Sequence, residues 1–69
     1  MTQFKTLRAA SLRVGDVVPA PTAWGGWDKN TARRIVKIEC DISTGMRVFR
    51  LDCDGMFRSF PENKIPVEI

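Results

Sequence analysis

The sequence predicts an all-β fold, a small barrel of five to six antiparallel strands forming a single domain over residues 1–69. Three observations predict it. Two short alternating runs, Met46 to Asp52 and Met56 to Phe60, flank Asp54-Gly55, and Asp-Gly between alternating segments is the strongest short-range hairpin signal. The run Thr31 to Asp41 alternates in polarity and is rich in β-branched residues, as a half-buried strand should be. Pro61-Glu62-Asn63-Lys64 is too short for an α-helix and suits a single 3₁₀ turn, after which Ile65 to Ile69 alternates again.

Taken in order, Phe4 to Arg8 reads as a first short strand followed by a tight bend. Val14-Gly15-Asp16 marks a turn, because glycine accepts positive φ and aspartate bonds its neighbouring backbone. A second strand runs from Asp16 to about Ala20 and is ended by Pro19 and Pro21, since proline removes a ladder donor. Pro21 to Asn30, with Gly25-Gly26 between Trp24 and Trp27, reads as the one long loop.

In the third strand, Thr31 to Asp41, strict alternation puts Val36, Ile38 and Cys40 on the core face and Arg33, Ile35, Lys37 and Glu39 on the other. Ser43-Thr44-Gly45 turns the chain into the fourth strand, where Phe49 and Leu51 face the core and Val48, Arg50 and Asp52 face out. Asp54-Gly55 supplies both positive-φ positions of a type I′ turn into the fifth strand. Short strands in so small a domain must close or nearly close, because open hydrophobic edges template aggregation.

A chain of 69 residues holds one small core and buries only ~60% of its unfolded surface. With 43% hydrophobic and 28% charged residues, it falls among ordinary soluble globular domains. No apolar stretch approaches the ~18 residues of a membrane span. Met1 to Leu12 carries Lys5 and Arg8 and lacks the apolar run of a secretory signal, so a cytoplasmic location and no membrane partner are expected. The net charge of +3 is compatible with an anionic partner and also with plain solubility.

Cys40 and Cys53 fall near opposite ends of the paired third and fourth strands, and Cα atoms more than ~7 Å apart cannot be bridged. Both are expected to be reduced and to sit in the core. With no histidine and only two cysteines, the chain falls short of a four-ligand zinc site. No metal or cofactor is expected.

The absence of histidine also removes a Ser-His nucleophile. Asp52 and Asp54 are the closest carboxylates, but a strand end and a turn account for both. Gly25-Gly26 has no following helix to complete a phosphate loop. An enzyme is therefore not expected, and function must come from a surface.

Two features could make that surface. Arg33, Lys37, Arg50 and Arg58 form an expected basic row on the outer face, suited to phosphate or to an acidic protein. Cross-strand pairs such as Lys37 with Asp52 would instead make the row a solubilising face. The tryptophans are the second feature. Trp24, after Pro21 and Ala23, is expected to cover the barrel end. Trp27, beside Lys29, Arg33 and Arg34, is expected to be exposed as a stacking platform, which serves single-stranded nucleic acid or a protein hot spot.

The order of elements resembles the SH3-like small barrel: an opening strand at Leu12-Arg13-Val14-Gly15-Asp16-Val17-Val18, a long loop, three meandering strands, a one-turn connector and a closing strand. The resemblance covers residues 12–69 and extends to short barrel proteins of bacteria and their phages. It implies binding of nucleic acid or peptides, as in Tudor-like and KOW-type members, while the acidic loop and aromatic ladder of a polyproline-binding SH3 domain are missing. The expected function is thus a non-enzymatic module binding nucleic acid through Trp27, Lys29, Arg33, Arg34, Lys37, Arg50 and Arg58. The alternatives are a protein-interaction module, such as a phage or bacterial modulator of a host factor, and a structural barrel forming small homo-oligomers.

Overall fold

The computed structural model describes residues 3–69. Six strands follow one another: β1 (Phe4–Arg8), β2 (Val17–Pro21), β3 (Trp27–Asp41), β4 (Met46–Leu51), β5 (Met56–Ser59) and β6 (Lys64–Glu68). The fold is all-β. Strands β2, β3, β4 and β5 meander into a curled four-stranded sheet, half of a barrel, while β1 and β6 pair separately and antiparallel at the chain ends. Two 3₁₀ turns, Ala9–Ser11 and Asp52–Asp54, are the only helical pieces among the described residues.

The sheet's concave face and the β1–β6 ladder enclose one core. Val18, Ile35, Phe49, Leu51 and Phe57 come from the four-stranded sheet, Ile65 and Val67 from β6, and Ala9 and Leu12 from the chain between β1 and β2. Phe49 and Phe57 stack with centroids 4.7 Å apart, and Trp27 meets Phe57 edge-on at 5.2 Å. Both arrangements suit the ring quadrupole. The Ala9 and Ala10 amides donate to the Asn63 and Pro61 carbonyls at 2.7 and 3.0 Å, tying the first corner of the chain to the turn before β6.

Several expectations hold. The first strand has the expected bounds, and Gly15 takes φ of 100° in the turn before β2, where Asp16 accepts from the Arg13 amide. Gly45 takes φ of 76° in the turn after β3, where Asp41 accepts from the Ser43 amide and hydroxyl.

Others are corrected. The expected long loop from Pro21 to Asn30 is mostly hairpin: β3 begins at Trp27, which pairs with Pro21, and only 22–26 form the tip. The register slips between Pro19 and Ala20, so that β3 bulges between Asp28 and Ala32.

A second bulge overturns the facing expected for the third strand. Ile35 lies opposite Leu51, but Lys37 lies opposite Arg50, leaving Val36 as the extra residue. A bulge of one residue reverses which side chains point inward beyond it. Ile35, expected outside, is fully buried, whereas Val36, expected in the core, is 51% exposed. Beyond the bulge Ile38 packs against the core, and Cys40, near the strand's end, is exposed. The Ile35 main chain is held from the β2 side, donating to the Asp16 carbonyl and accepting from the Gly15 amide, both at 2.8 Å.

The β4–β5 turn also moves. Cys53 and Asp54, with φ of 56° and 63°, occupy its positive-φ positions, and Gly55 closes it by donating to the Asp52 carbonyl at 3.3 Å. An Asp54-Gly55 turn would set Phe57 opposite Asp52 on the solvent face. The observed register sets Phe57 opposite Phe49, and burying that ring outweighs the local preference for glycine. Both cysteines are free as expected, but both are exposed. The connector before the last strand, expected as a single 3₁₀ turn, is a plain turn closed by the Asn63 amide donating to the Phe60 carbonyl at 3.1 Å.

Candidate functional site

The outer face of β3, β4 and β5 follows from the register beyond the Val36 bulge. Lys37 and Glu39 of β3, Val48 and Arg50 of β4, and Met56 and Arg58 of β5 share it. Long side chains covering the strand surface leave Val48 only 7% exposed. The cations here are largely answered. Lys37 Nζ and Arg50 Nε each lie 3.3 Å from Glu39 Oε1. Hydrogen bonds first from Lys37 and then from Arg50 hold the Glu39 carboxyl below its ordinary range. Asp41 is also held low, chiefly by the Ser43 hydroxyl, with a small pull from Arg58.

The expected basic row is therefore divided. Lys37, Arg50 and Arg58 share the outer face, but Arg33 lies before the bulge, half-buried opposite Val18. Arg34 is exposed, its amide donating to Asp52 Oδ1 at 3.3 Å. Lys37 thus pairs with Glu39 and not with Asp52, the cross-strand pair that a solubilising face would have offered. Lys29 points elsewhere, with Nζ 5.8 Å from the centre of the Phe4 ring, a cation–π distance.

A second arrangement is concave. Between the β2–β3 hairpin tip and the edge of β5 lies an open cleft of about 540 Å³. Trp27, Phe57, Met56 and Ile65 supply its apolar surface, with Arg58 and Lys64 as its cations. Thr22, Gly25 and Gly26 form the hairpin side. Among the described residues no strand pairs with the outer edge of β5. Unlike Lys37 and Arg50, neither Arg58 nor Lys64 is within ion-pair distance of a carboxylate among the described residues.

The tryptophan roles are the reverse of those expected. Trp27 is half-buried against Phe57 and lines the cleft, while Trp24 stands 95% exposed at the hairpin tip. The physical reason is the early start of β3: Trp27 sits in the ladder, while Trp24 sits on the turn beyond the last pair. Of the expected site residues, the cleft brings together Trp27 and Arg58. It adds Lys64, which by sequence belongs to the connector before the last strand.

No group of three cysteine, aspartate or glutamate side chains able to hold a metal lies together among the described residues. No helix there is long and apolar enough to cross a membrane. Comparison with protein-family models, with curated proteins and with solved structures gives no match.

Proposed function

We propose that this chain is a non-enzymatic SH3-like binding module whose ligand is nucleic acid, held at the cleft between the β2–β3 hairpin and β5. The curled half-barrel, closed across the chain ends by β1 and β6, supports the barrel class. The observation that carries the ligand is the pairing of an aromatic-floored cleft with two cations, Arg58 and Lys64, that lie outside ion-pair distance of a carboxylate among the described residues. Lys37 and Arg50 extend the basic surface beyond the cleft once phosphate competes with Glu39 for them. An arginine fork and a lysine point charge both suit phosphate.

The test is a titration of a labelled oligonucleotide at several salt concentrations. Neutralising three to five phosphates gives a log–log slope of roughly −3 to −5 on duplex and −2 to −3.5 on single strands. Arg58→Ala combined with Lys64→Ala should flatten that slope. An absence of binding at low salt refutes the reading.

One observation favours a second reading. Ile42, at the β3–β4 turn, is 96% exposed and offers nothing to a phosphate backbone, so a protein-interaction module would account for it better.

A further inference from the structure

We infer that the cleft takes one unstacked base of a single strand while Trp24 stacks on a neighbouring base, so that the module prefers single-stranded nucleic acid to duplex. The inference rests on the nucleic-acid reading above and deepens it. The size of the cleft is its first support. Although open on one side, the cleft of about 540 Å³ has the size of sites that take one small-molecule-sized group, ~300–1,000 Å³. One base is such a group, and a base pair inside a duplex offers no free face to the cleft.

The second support is Trp24. An indole 95% exposed contributes nothing to the core, yet its backbone is fixed. Across the tip the Thr22 amide donates to the Gly26 carbonyl at 3.0 Å and the Gly25 amide to the Thr22 carbonyl at 3.2 Å. The Gly26 amide donates to the Thr22 hydroxyl at 3.0 Å, and Gly25 takes φ of 84° to allow the turn. An ordered turn spares a ligand the cost of ordering the backbone that carries the ring. Stacking on an aromatic face is tolerant of base identity.

The third support is the spacing. Trp24 and Trp27 are three residues apart, which limits their Cα separation to about 11 Å. A separation of that size is one that adjacent nucleotides of an extended strand span. Arg58 and Lys64 border the cleft, where the phosphate joining those nucleotides would pass. On β5 the pairing of Leu51 with Gly55 through a 2.7 Å bond sets the ladder's phase. The main-chain groups of Met56 and Arg58 consequently face the free edge beside the cleft, adding donors for the strand.

The experiment compares an oligothymidine of about eight nucleotides with a duplex of equal length at one low salt concentration, by anisotropy and tryptophan quenching. Wild type, Trp24→Ala and the Arg58→Ala, Lys64→Ala double variant are measured alongside poly-glutamate as a competitor. Wild type should bind the single strand at least about tenfold more tightly than the duplex. Trp24→Ala should weaken the single strand about fivefold or more and the duplex less than about twofold, and the double variant should weaken both. Equal affinity for the two ligands, unaffected by Trp24→Ala, overturns the single-strand inference and leaves the nucleic-acid reading standing. Binding of neither ligand overturns both. Displacement by poly-glutamate at equal charge concentration also overturns base recognition and points to an acidic protein.

Discussion

Replacing Ile35 and Val36 separately by alanine tests the feature that sets the whole outer face, the bulge in β3. Ile35 is fully buried and belongs to the core with Val18, Phe49 and Leu51, while Val36 is 51% exposed. Ile35→Ala removes three carbons at ~0.8 kcal/mol each. The cavity left behind adds to this, giving about 3–4 kcal/mol, inside the ~2–5 kcal/mol range for such truncations. A single core in a chain this small seldom supplies more than ~3–5 kcal/mol in total, so the variant should be close to unfolded. At ~4–8 °C per kcal/mol for a domain of this size, the expected fall in Tm is roughly 12–30 °C. Val36→Ala removes half-solvated carbons and should cost under ~1 kcal/mol. The assay is a pair of circular-dichroism melts with urea titrations beside them, in which an unchanged m-value certifies a change of stability alone. A loss from Val36→Ala that equals or exceeds the loss from Ile35→Ala would show that the third strand alternates without a bulge.

The tryptophans should separate in the same melts: Trp27→Ala, which strips the edge contact from Phe57, should cost about 2–3 kcal/mol. Trp24→Ala at the exposed tip should stay within ~0.5 kcal/mol of wild type, and equal losses would contradict the packing described. The exposed thiols of Cys40 and Cys53 should both react with a thiol reagent in the native, unreduced protein. Labelling that needs denaturant would place them inside the core after all.

Much of the fold could be read from local pattern. Alternation and turn chemistry located β2, β4, β5, β6 and most of β3, because a pleated half-buried segment needs period two wherever it lies, while Phe4 to Arg8 follows no single period; glycine marks the turns at Gly15 and Gly45 whatever surrounds them. A further signal was present and bears on the site. No proline or glycine interrupts Trp27 to Asp41, and Gly25-Gly26 just before it is a natural hairpin tip, so the early start of β3 has a local signal in the sequence.

The placement of a bulge is different in kind. Ile35 faces inward and Val36 outward because the Ile35 main chain is bonded to Gly15 and Asp16 while β4 continues its own register beyond Leu51, and both partners are remote in sequence. The same holds at the β4–β5 turn. There the stack of Phe57 on Phe49 chooses the register and forces Cys53 and Asp54 to positive φ against local preference. The candidate site depends on these long-range choices. Arg58 and Trp27 were legible as residue types suited to an anionic, aromatic ligand, but their meeting with Lys64 across a cleft exists only once β5 is left as a free edge beside the β2–β3 hairpin. Sequence by itself determined the elements and the available chemistry, because both are properties of neighbouring residues. Tertiary structure alone decided facing and assembly, because a one-residue shift in strand pairing moves side chains between core and solvent, and burial of the Phe49, Phe57 and Ile35 side chains selects among the shifts.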